Sequence, residues 1–189
     1  MGFFEWLQNL VSSGGFNSAD KISPYRSVLF VCHANVTRSP SAERMFADIA
    51  EKRGEQWNVA SAGVAARRDT GANLIVQFIL QQRGINLSNH RSQPITDALI
   101  KRYHWIIVME RQQRDHLVNK YPQAADRIMV LREVTMSDSL ENPDMPDPTG
   151  KEVDDYTDLF AILDVEIPRI YKELESRVTD IEWDEEEKG

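Results

Sequence analysis

The chain contains a single cysteine, Cys32, and an arginine follows it six residues later, at Arg38. The apolar run 28–31 leads into the cysteine and has the length of a buried strand, while the residues from Ser39 onward are typical of a helix. A short loop between a strand and a helix can bind a dianion, because its N–H groups point inward and the helix N-terminus adds positive potential. The spacing therefore predicts an oxyanion loop with a thiol at its base and a guanidinium beside it.

We expect this loop to attack a phosphoryl group. The loop N–H groups, the helix N-terminus and the Ser39 hydroxyl favour the thiolate of Cys32, which attacks phosphorus in line to form a phosphocysteine. The Arg38 guanidinium can bind two phosphoryl oxygens through the transition state, so the scheme requires neither a metal ion nor another cofactor. The predicted phosphate-binding residues are His33, Ala34, Asn35, Val36, Thr37, Arg38 and Ser39.

A leaving alkoxide or phenoxide needs a proton, and Asp147 in the sequence PDPTG is the predicted general acid. Taken alone, that sequence is typical of a type I turn, and the oxyanion loop far upstream is what favours a catalytic role. Asp144, three residues earlier, is the second candidate acid. The alternative, a buried structural Cys32 with Arg38 in a surface ion pair, fits this context less well.

Size and composition indicate one globular α/β domain with an appendage at each end. The chain has 189 residues, 41% of them hydrophobic, and a formal charge of −8. We predict an N-terminal appendage over residues 1–26, a catalytic domain over 27–178 and an acidic tail over 179–189. The last ten residues hold six acids and one lysine, which predicts a solvated, disordered end. The acidic balance argues against nucleic acid as a partner.

The single cysteine excludes an intramolecular disulfide, and a reactive thiol persists best in a reducing compartment. No apolar run approaches the ~20 residues of a membrane span, and the N-terminus lacks the pattern of a secretory signal. We therefore expect a cytoplasmic protein without a membrane partner. Apolar side chains at helical spacing within residues 3–11 are expected to dock on the body of the protein rather than on a membrane.

Hydrophobic periodicity predicts strands that alternate with helices. Besides residues 28–31, the predicted strands are 57–61, 105–109 and 128–131. The predicted helices are 39–53, with Ser39 as N-cap and Pro40 at the first position, then 70–83 and 110–120. In the second of these helices the side chains expected to point inward, before a stop at Gly84, are Leu74, Ile75, Phe78 and Ile79.

A proline-rich loop over 136–150 separates these elements from a C-terminal helical region, in which Pro168 is expected to kink the helix or divide it in two. Strands that alternate with helices imply a parallel sheet covered on both faces. Functional groups then lie at the C-terminal ends of the strands, which is where the oxyanion loop follows the first strand.

Together, the oxyanion loop and Asp147 resemble the motifs of the low-molecular-weight protein tyrosine phosphatases, over about residues 27–174. Supporting matches are SAG at 61–63 and GINLSNHRS at 84–92. The resemblance implies a three-layer, flavodoxin-like α/β fold with a four-stranded parallel sheet in the order 2-1-3-4 and helices on both faces. It implies Cys32 as nucleophile, Arg38 as phosphate clamp and Asp147 as general acid.

The same resemblance implies supporting roles for three other residues. Asn35 matches the position that shapes the loop, and Ser39 matches the position that stabilises the thiolate. His90 is expected to serve structure rather than catalysis. Two positions depart from the family's pattern inside the loop. Thr37 stands where many members have a second cysteine, and Ala34 replaces a usual glycine, which strains the loop if that position needs a positive φ.

Other departures bear on the substrate. Val36 favours tyrosine phosphatases, which tend to have isoleucine there, whereas the related arginine phosphatases have threonine. The aromatic walls that hold a phosphotyrosine ring are missing, because Thr149 follows the acid and residues 64–68 contain no aromatic side chain. Instead, Arg67 and Arg68 indicate either a basic rim or two solvated charges.

The leading hypothesis is a metal-independent phosphatase that hydrolyses phosphotyrosine in protein, so that a phosphorylated protein substrate is the expected partner. No sequence feature specifies an oligomeric state. Two alternatives stay open at this point. One is an arsenate reductase that uses an external thiol, since the chain lacks the further cysteines of an internal mechanism. The other is a non-catalytic module that binds an oxyanion or a phosphoprotein, against which the presence of Asp147 argues.

Overall fold

A computed structural model describes residues 22–134 and 142–187 of the chain. The strands in this part are β1 (Ser27–Cys32), β2 (Asn58–Gly63), β3 (Trp105–Val108) and β4 (Ile128–Val130). The α-helices are α1 (Arg38–Arg53), α2 (Leu74–Gln82), α3 (Asp97–Arg102), α4 (Arg111–Lys120), α5 (Leu131–Val134) and α6 (Val153–Glu187). A 3-10 helix (Pro122–Arg127) precedes β4.

The four strands form one parallel sheet in the order β2-β1-β3-β4. The central strand β1 pairs with β2 on one side, where Cys32 lies opposite Gly63, and with β3 on the other, where Val31 lies opposite Val108. The predicted flavodoxin-like strand order is confirmed. Because all strands run in the same direction, their C-terminal ends share one edge, and the loop after β1 begins at its centre.

Two apolar layers cover the sheet, because successive strand residues point to opposite faces. Val28, Phe30 and Cys32 pack in a cluster with residues of α1, α2 and α6, whereas Leu29 and Val31 pack with residues of α3 and α4. The three-layer architecture is thereby confirmed. Burial on both faces also explains why β1 reads as a continuous apolar run rather than an alternating one.

The helix predicted over residues 70–83 is shorter, because α2 begins at Leu74. Asn73 is its N-cap, and the Asn73 side chain accepts hydrogen bonds from the N–H groups of Ile75 and Val76 at 2.9 and 3.5 Å. The predicted end of this helix before Gly84 is confirmed. Gly84 follows the helix with a φ of +78°, a conformation that glycine adopts without strain.

The predicted inward face of α2 is partly wrong. Leu74 and Phe78 are 80% and 63% exposed. The face that packs on the core has two fully buried and two partly buried residues, Val76, Leu80, Ile75 and Ile79. Apolar spacing alone does not distinguish these two overlapping stripes of one helix, and the position of α6 selects the stripe centred on Val76 and Leu80.

Other boundaries shift by one or two residues. β2 covers 58–63 instead of 57–61, β3 ends at Val108, and Leu131 begins α5 instead of ending β4. The helix predicted over 110–120 is confirmed by α4. Helix α3 was not predicted, because its six residues are too few to show a period. Its N-cap is Thr96, whose hydroxyl accepts a hydrogen bond from the N–H of Leu99 at 3.3 Å.

Helix α6 runs without a break from Val153 to Glu187, so Pro168 does not divide it. The expectation of a disordered end is wrong over residues 179–187, because α6 continues through them. Val178 is fully buried and Ile181 packs against the core, which extends the apolar period into the acidic segment. None of the helices in the two described ranges is long and apolar enough to cross a lipid bilayer.

Residues 1–21, including the apolar stretch predicted to dock on the body, lie outside the described residues. The last part of the predicted appendage, residues 22–26, packs on the domain. Arg26 donates two hydrogen bonds to the carboxylate of Glu175 in α6, at 2.7 and 2.9 Å. The indole N–H of Trp105 donates to the carbonyl of Tyr25 at 2.8 Å.

Candidate active site

The predicted oxyanion loop connects β1 to α1 at the C-terminal edge of the sheet. Cys32 ends β1 in the core, and α1 begins at Arg38, so only five residues separate the strand from the helix. The prediction of Ser39 as N-cap is wrong. Thr37 occupies that position without a side-chain capping bond, and the Ser39 hydroxyl lies inside the first turn, where it contacts the cysteine.

Two polar groups contact the sulfur of Cys32. The Ser39 Oγ lies 3.0 Å from Sγ, and the backbone N–H of Asn35 donates to Sγ at 3.3 Å. All three residues are at most 3% exposed. Hydrogen bonds donated to sulfur stabilise an anionic thiolate more than a neutral thiol. The surroundings of Cys32 are therefore suited to a nucleophilic sulfur.

Asn35 holds the shape of the loop. Its φ is +56°, in the left-handed region that asparagine tolerates better than most residues, whereas Ala34 is not in that region and carries no such strain. The side-chain amide nitrogen of Asn35 donates to the hydroxyls of Ser39 and Ser61 at 3.0 and 2.8 Å. The side-chain oxygen Oδ1 accepts from the backbone N–H of Gln93 at 2.9 Å. Three chain segments are thus joined at one buried side chain.

A second layer of polar residues supports Asn35. The Ser61 hydroxyl donates to a carboxylate oxygen of Glu43 in α1 at 2.5 Å. Burial raises the pKa of Glu43, although the hydrogen bond from Ser61 acts in the opposite direction. The Nε2 atom of His90 lies within hydrogen-bond distance of the backbone carbonyl oxygen of Asn35, at 2.8 Å. His90 thus contacts the backbone of the loop, and its structural role stays a prediction.

Gly63, at the end of β2, allows the loop to approach the neighbouring strand. A Cβ at this position would lie 2.6 Å from the His33 carbonyl oxygen and 2.9 Å from the Asn35 nitrogen. Both are backbone atoms of the oxyanion loop, so neither can move without deforming it. The third residue of the SAG match at 61–63 must therefore be glycine for steric reasons.

We expect Gly63→Ala to destabilise the protein by about 1–3 kcal/mol, the typical cost of forcing an extra carbon into a packed site. Catalytic activity is also expected to fall, because the loop must shift. Urea unfolding of the variant measures the first effect. Gly71→Ala is the matched control, since a Cβ there meets nothing within 4 Å. Equal unfolding free energies for the two variants would contradict the steric account.

The Arg38 side chain is 2% exposed and contacts three groups. One terminal nitrogen bonds to the Glu110 carboxylate and donates to the Met145 carbonyl at 2.9 Å. The other donates to the Asp147 carboxylate at 2.6 Å. Glu110 follows β3, and Met145 and Asp147 lie in the segment between α5 and α6. The guanidinium is therefore oriented by chain segments that follow β3 and β4, on one side of the central strand β1.

Asp147 lies beside the oxyanion loop through its ion pair with Arg38. Burial raises the pKa of Asp147, but the charge of Arg38 and hydrogen bonds from Thr149 and Arg38 outweigh burial and hold this pKa below its ordinary value. Asp147 is therefore a carboxylate at neutral pH. Thr149, where an aromatic wall is common, has its hydroxyl 3.4 Å from that of Thr37.

Asp144, the second candidate acid, is bound elsewhere. Its carboxylate accepts a hydrogen bond from the backbone N–H of Arg111 at 2.7 Å and pairs with the Arg111 guanidinium at 3.3 Å. Burial raises the pKa of Asp144, but the hydrogen bonds and the charge of Arg111 outweigh burial and hold this pKa below its ordinary value. Of the two acids, Asp147 is therefore the one that contacts the residues of the oxyanion loop.

Sequence reasoning missed Glu110 and the Met145 carbonyl as partners of Arg38. Glu110 follows directly after β3, at the edge of the sheet where functional groups collect, and that position was an available signal. A backbone carbonyl leaves no signal in the sequence. Within residues 22–134 and 142–187, no group of three or more histidine, cysteine, aspartate or glutamate side chains could hold a metal ion.

Comparison with known proteins agrees with this geometry. Residues 27–180 match the model of the family described as low molecular weight phosphotyrosine protein phosphatase. The chain belongs to this family. One relative is a protein-arginine-phosphatase of Bacillus subtilis, which is 31% identical over 147 residues, and the match covers 78% of this chain and 95% of that protein.

Solved structures of low-molecular-weight phosphatases superpose on this chain. The low molecular weight protein tyrosine phosphatase from T. tengcongensis is 31% identical, with a TM-score of 0.71, and the match covers 77% of this chain and 97% of that one. An arginine phosphatase mutant with a phosphorylated active site serine in place of cysteine is 29% identical, with a TM-score of 0.73, and the match covers 79% and 95%. Family membership makes this chain a protein phosphatase, and the arsenate reductase alternative is not favoured.

Proposed function

We propose that this protein hydrolyses phosphotyrosine in protein substrates through a phosphocysteine at Cys32. The observation that carries the proposal is the meeting of three groups at one edge of the sheet. A sulfur with two hydrogen-bonding neighbours lies at the base of the loop, and Arg38 begins the helix behind it. The Asp147 carboxylate lies 2.6 Å from that guanidinium.

In the first step, the Cys32 thiolate attacks phosphorus as the bond from phosphorus to the ester oxygen breaks. The loop N–H groups and Arg38 bind the phosphoryl oxygens, whose charge they stabilise in the transition state. Asp147 gives its proton to the leaving oxygen. In the second step, Asp147 takes a proton from water, whose oxygen bonds to phosphorus while the sulfur leaves as the thiolate. The residues from His33 to Ser39 supply the phosphate-binding groups.

Arg38 couples substrate binding to the protonation of Asp147. The Arg38 guanidinium holds the pKa of Asp147 below its ordinary value, whereas a general acid must carry a proton. A bound phosphoryl dianion adds negative charge beside Asp147 and takes over hydrogen bonds of Arg38, so the pKa of Asp147 rises in the complex. The acid is thereby protonated when a phosphoryl group occupies the loop.

Phosphoarginine in protein is the second candidate substrate, because relatives of this chain are named arginine phosphatases. Val36 opposes it, since its half-buried side chain in the oxyanion loop offers no hydrogen-bonding group to a phosphorylated guanidinium. The missing aromatic walls leave room for either side chain. A cytoplasmic phosphoprotein is the expected partner in both cases, and independence from any cofactor stays a prediction.

A side-by-side turnover assay tests the proposed function. It compares a phosphotyrosine peptide, a phosphoarginine peptide of the same flanking sequence, and arsenate with a small thiol. We expect the phosphotyrosine peptide to give the highest kcat/KM and arsenate to give no thiol-dependent arsenite release. Preference for phosphoarginine would replace the substrate in the proposal, and an inert protein that binds phosphate would support the non-catalytic module.

Val36→Thr is expected to shift the preference toward phosphoarginine. The added hydroxyl gives one more hydrogen-bonding group in the loop, which is worth about 0.5–1.5 kcal/mol, or roughly two- to tenfold in relative kcat/KM. Val36→Ala is the control, because it removes the γ-methyl group that threonine replaces, together with the second one, without adding a polar atom. An equal shift in both variants would show that volume, not hydrogen bonding, determines the preference.

A further inference from the structure

Three arginines flank the oxyanion loop on the β2 side, and we call Arg67, Arg68 and Arg91 the basic rim. All three side chains are exposed. None of them forms an ion pair with any residue in 22–134 or 142–187, and Arg91 donates only to the carbonyls of Ser88 and His90. These guanidinium groups are therefore free to bind a ligand, on a chain whose formal charge is −8.

The segment that carries Arg67 and Arg68 is held beside the site. The N–H groups of Val64 and Ala65 donate to the carbonyls of Cys32 and His33, each at 2.9 Å. Farther along, the Ser92 hydroxyl donates to the Arg67 carbonyl. The backbone of the rim is thus bonded directly to the catalytic loop, so its position is set by the same contacts that shape the loop.

The second segment of the rim is attached in the same way. The N–H of Asp69 donates to the Ser92 carbonyl at 3.0 Å, and the N–H of Gln93 donates to the Asn35 side chain at 2.9 Å. Together the segments 64–73 and 86–96 contain three arginines and one aspartate, Asp69, a net charge of +2. This side of the oxyanion loop is therefore positive.

The other side of the site has a different charge pattern. In the sheet order, the loop after β3 and the segment that carries Asp144 and Asp147 lie across β1 from the rim. There, Asp144 is paired with Arg111, Asp147 with Arg38, and Lys151 with Asp155. Among the described residues around the site, the arginines without a carboxylate partner are thus those of the basic rim, which gives a bound peptide a direction.

We propose that the basic rim selects phosphoproteins whose phosphorylated residue has acidic neighbours in the sequence. The inference rests on the proposed function and names its substrate class. Carboxylates next to the phosphorylated residue reach the guanidinium groups while the phosphoryl group occupies the oxyanion loop. Charge recognition then replaces the aromatic contacts that Thr149 and residues 64–68 do not provide.

The test measures kcat/KM for two phosphotyrosine peptides, one with acidic and one with neutral flanking residues, in the wild type and in Arg67→Ala/Arg68→Ala. We expect the wild type to prefer the acidic peptide. The double variant should lose roughly fivefold for that peptide, mainly through KM, as expected for two exposed charge pairs. Its kcat/KM for the neutral peptide and for a small aryl phosphate should not change.

The matched control is Lys101→Ala/Arg102→Ala, an exposed basic pair at the end of α3 on the opposite edge of the sheet. It removes the same net charge and should leave the preference intact. Salt should abolish the wild-type preference, since the Debye length falls from about 8 Å at 0.15 M to about 3 Å at 1 M.

The possible outcomes distinguish a failure of the inference about the basic rim from a failure of the proposed function. If the wild type hydrolyses both peptides with equal kcat/KM, or if both double variants behave alike, the inference about the rim is wrong and the phosphatase proposal stands. If the wild type hydrolyses neither phosphotyrosine peptide, the proposed function itself is wrong.

Discussion

Replacing Cys32 by serine is expected to lower kcat for a phosphotyrosine peptide by at least about 10⁴-fold, the scale on which removal of a catalytic nucleophile acts. A serine hydroxyl is not ionised at neutral pH, so it presents a far weaker nucleophile to phosphorus. Serine fits the same space and can keep a hydrogen bond with Ser39. The measurement is steady-state turnover of purified wild type and variant.

The fold of the Cys32→Ser variant needs its own measurement. We expect inorganic phosphate to raise the Tm of the variant as it does that of the wild type, because the loop amides and Arg38 still bind the anion. A variant that binds phosphate but does not turn over then isolates the role of the sulfur. Wild-type turnover in the variant would rule out Cys32 as the nucleophile.

Replacing Asp147 by asparagine is expected to lower kcat for the phosphotyrosine peptide by roughly 10²–10⁴-fold, the usual contribution of general acid catalysis. The loss in kcat/KM, which reflects formation of the phosphocysteine, should be much smaller for a nitrophenyl phosphate, because nitrophenolate departs without a proton. Since the acid must be protonated, the wild-type kcat falls as pH rises through the pKa of Asp147 in the complex. The asparagine variant should lack that decrease.

Asp144→Asn is the matched control for this experiment. Asp144 lies in the same loop but is bound by Arg111, so its removal leaves the Arg38–Asp147 pair in place. We expect kcat to change little and to keep the wild-type dependence on the leaving group. A loss in Asp144→Asn that is larger for poor leaving groups would instead make Asp144 the general acid.

The reactive loop could be predicted because its features are local. Cys32, Arg38 and Ser39 lie within eight residues, so the sequence alone shows a strand, an anion-binding turn and a helix start. The alternation of strands and helices was sufficient to predict a parallel sheet, and the family resemblance implied its strand order. The Ser39 hydroxyl could not be placed in this way, because capping and contact with sulfur are both reasonable for a serine at a helix start.

Long-range contacts were beyond sequence reasoning. Glu110 and the Met145 carbonyl bind Arg38 from 72 and 107 residues away, and no spacing rule connects such positions. The same limit explains the exposure of Leu74 and Phe78 on α2, because the position of α6 decides which stripe of that helix is buried. Local patterns thus pointed to the candidate nucleophile and its loop, while packing of distant elements determined how Arg38 is oriented.

The most direct test of the phosphocysteine mechanism is the capture of the intermediate on Asp147→Asn, in which hydrolysis of the intermediate also slows. The variant is mixed with a nitrophenyl phosphate, quenched rapidly into denaturant and analysed by peptide mass spectrometry. The mechanism predicts one phosphoryl group, carried by the peptide that contains Cys32. Turnover with no phosphoryl group on that peptide, or with the group on another residue, would contradict it.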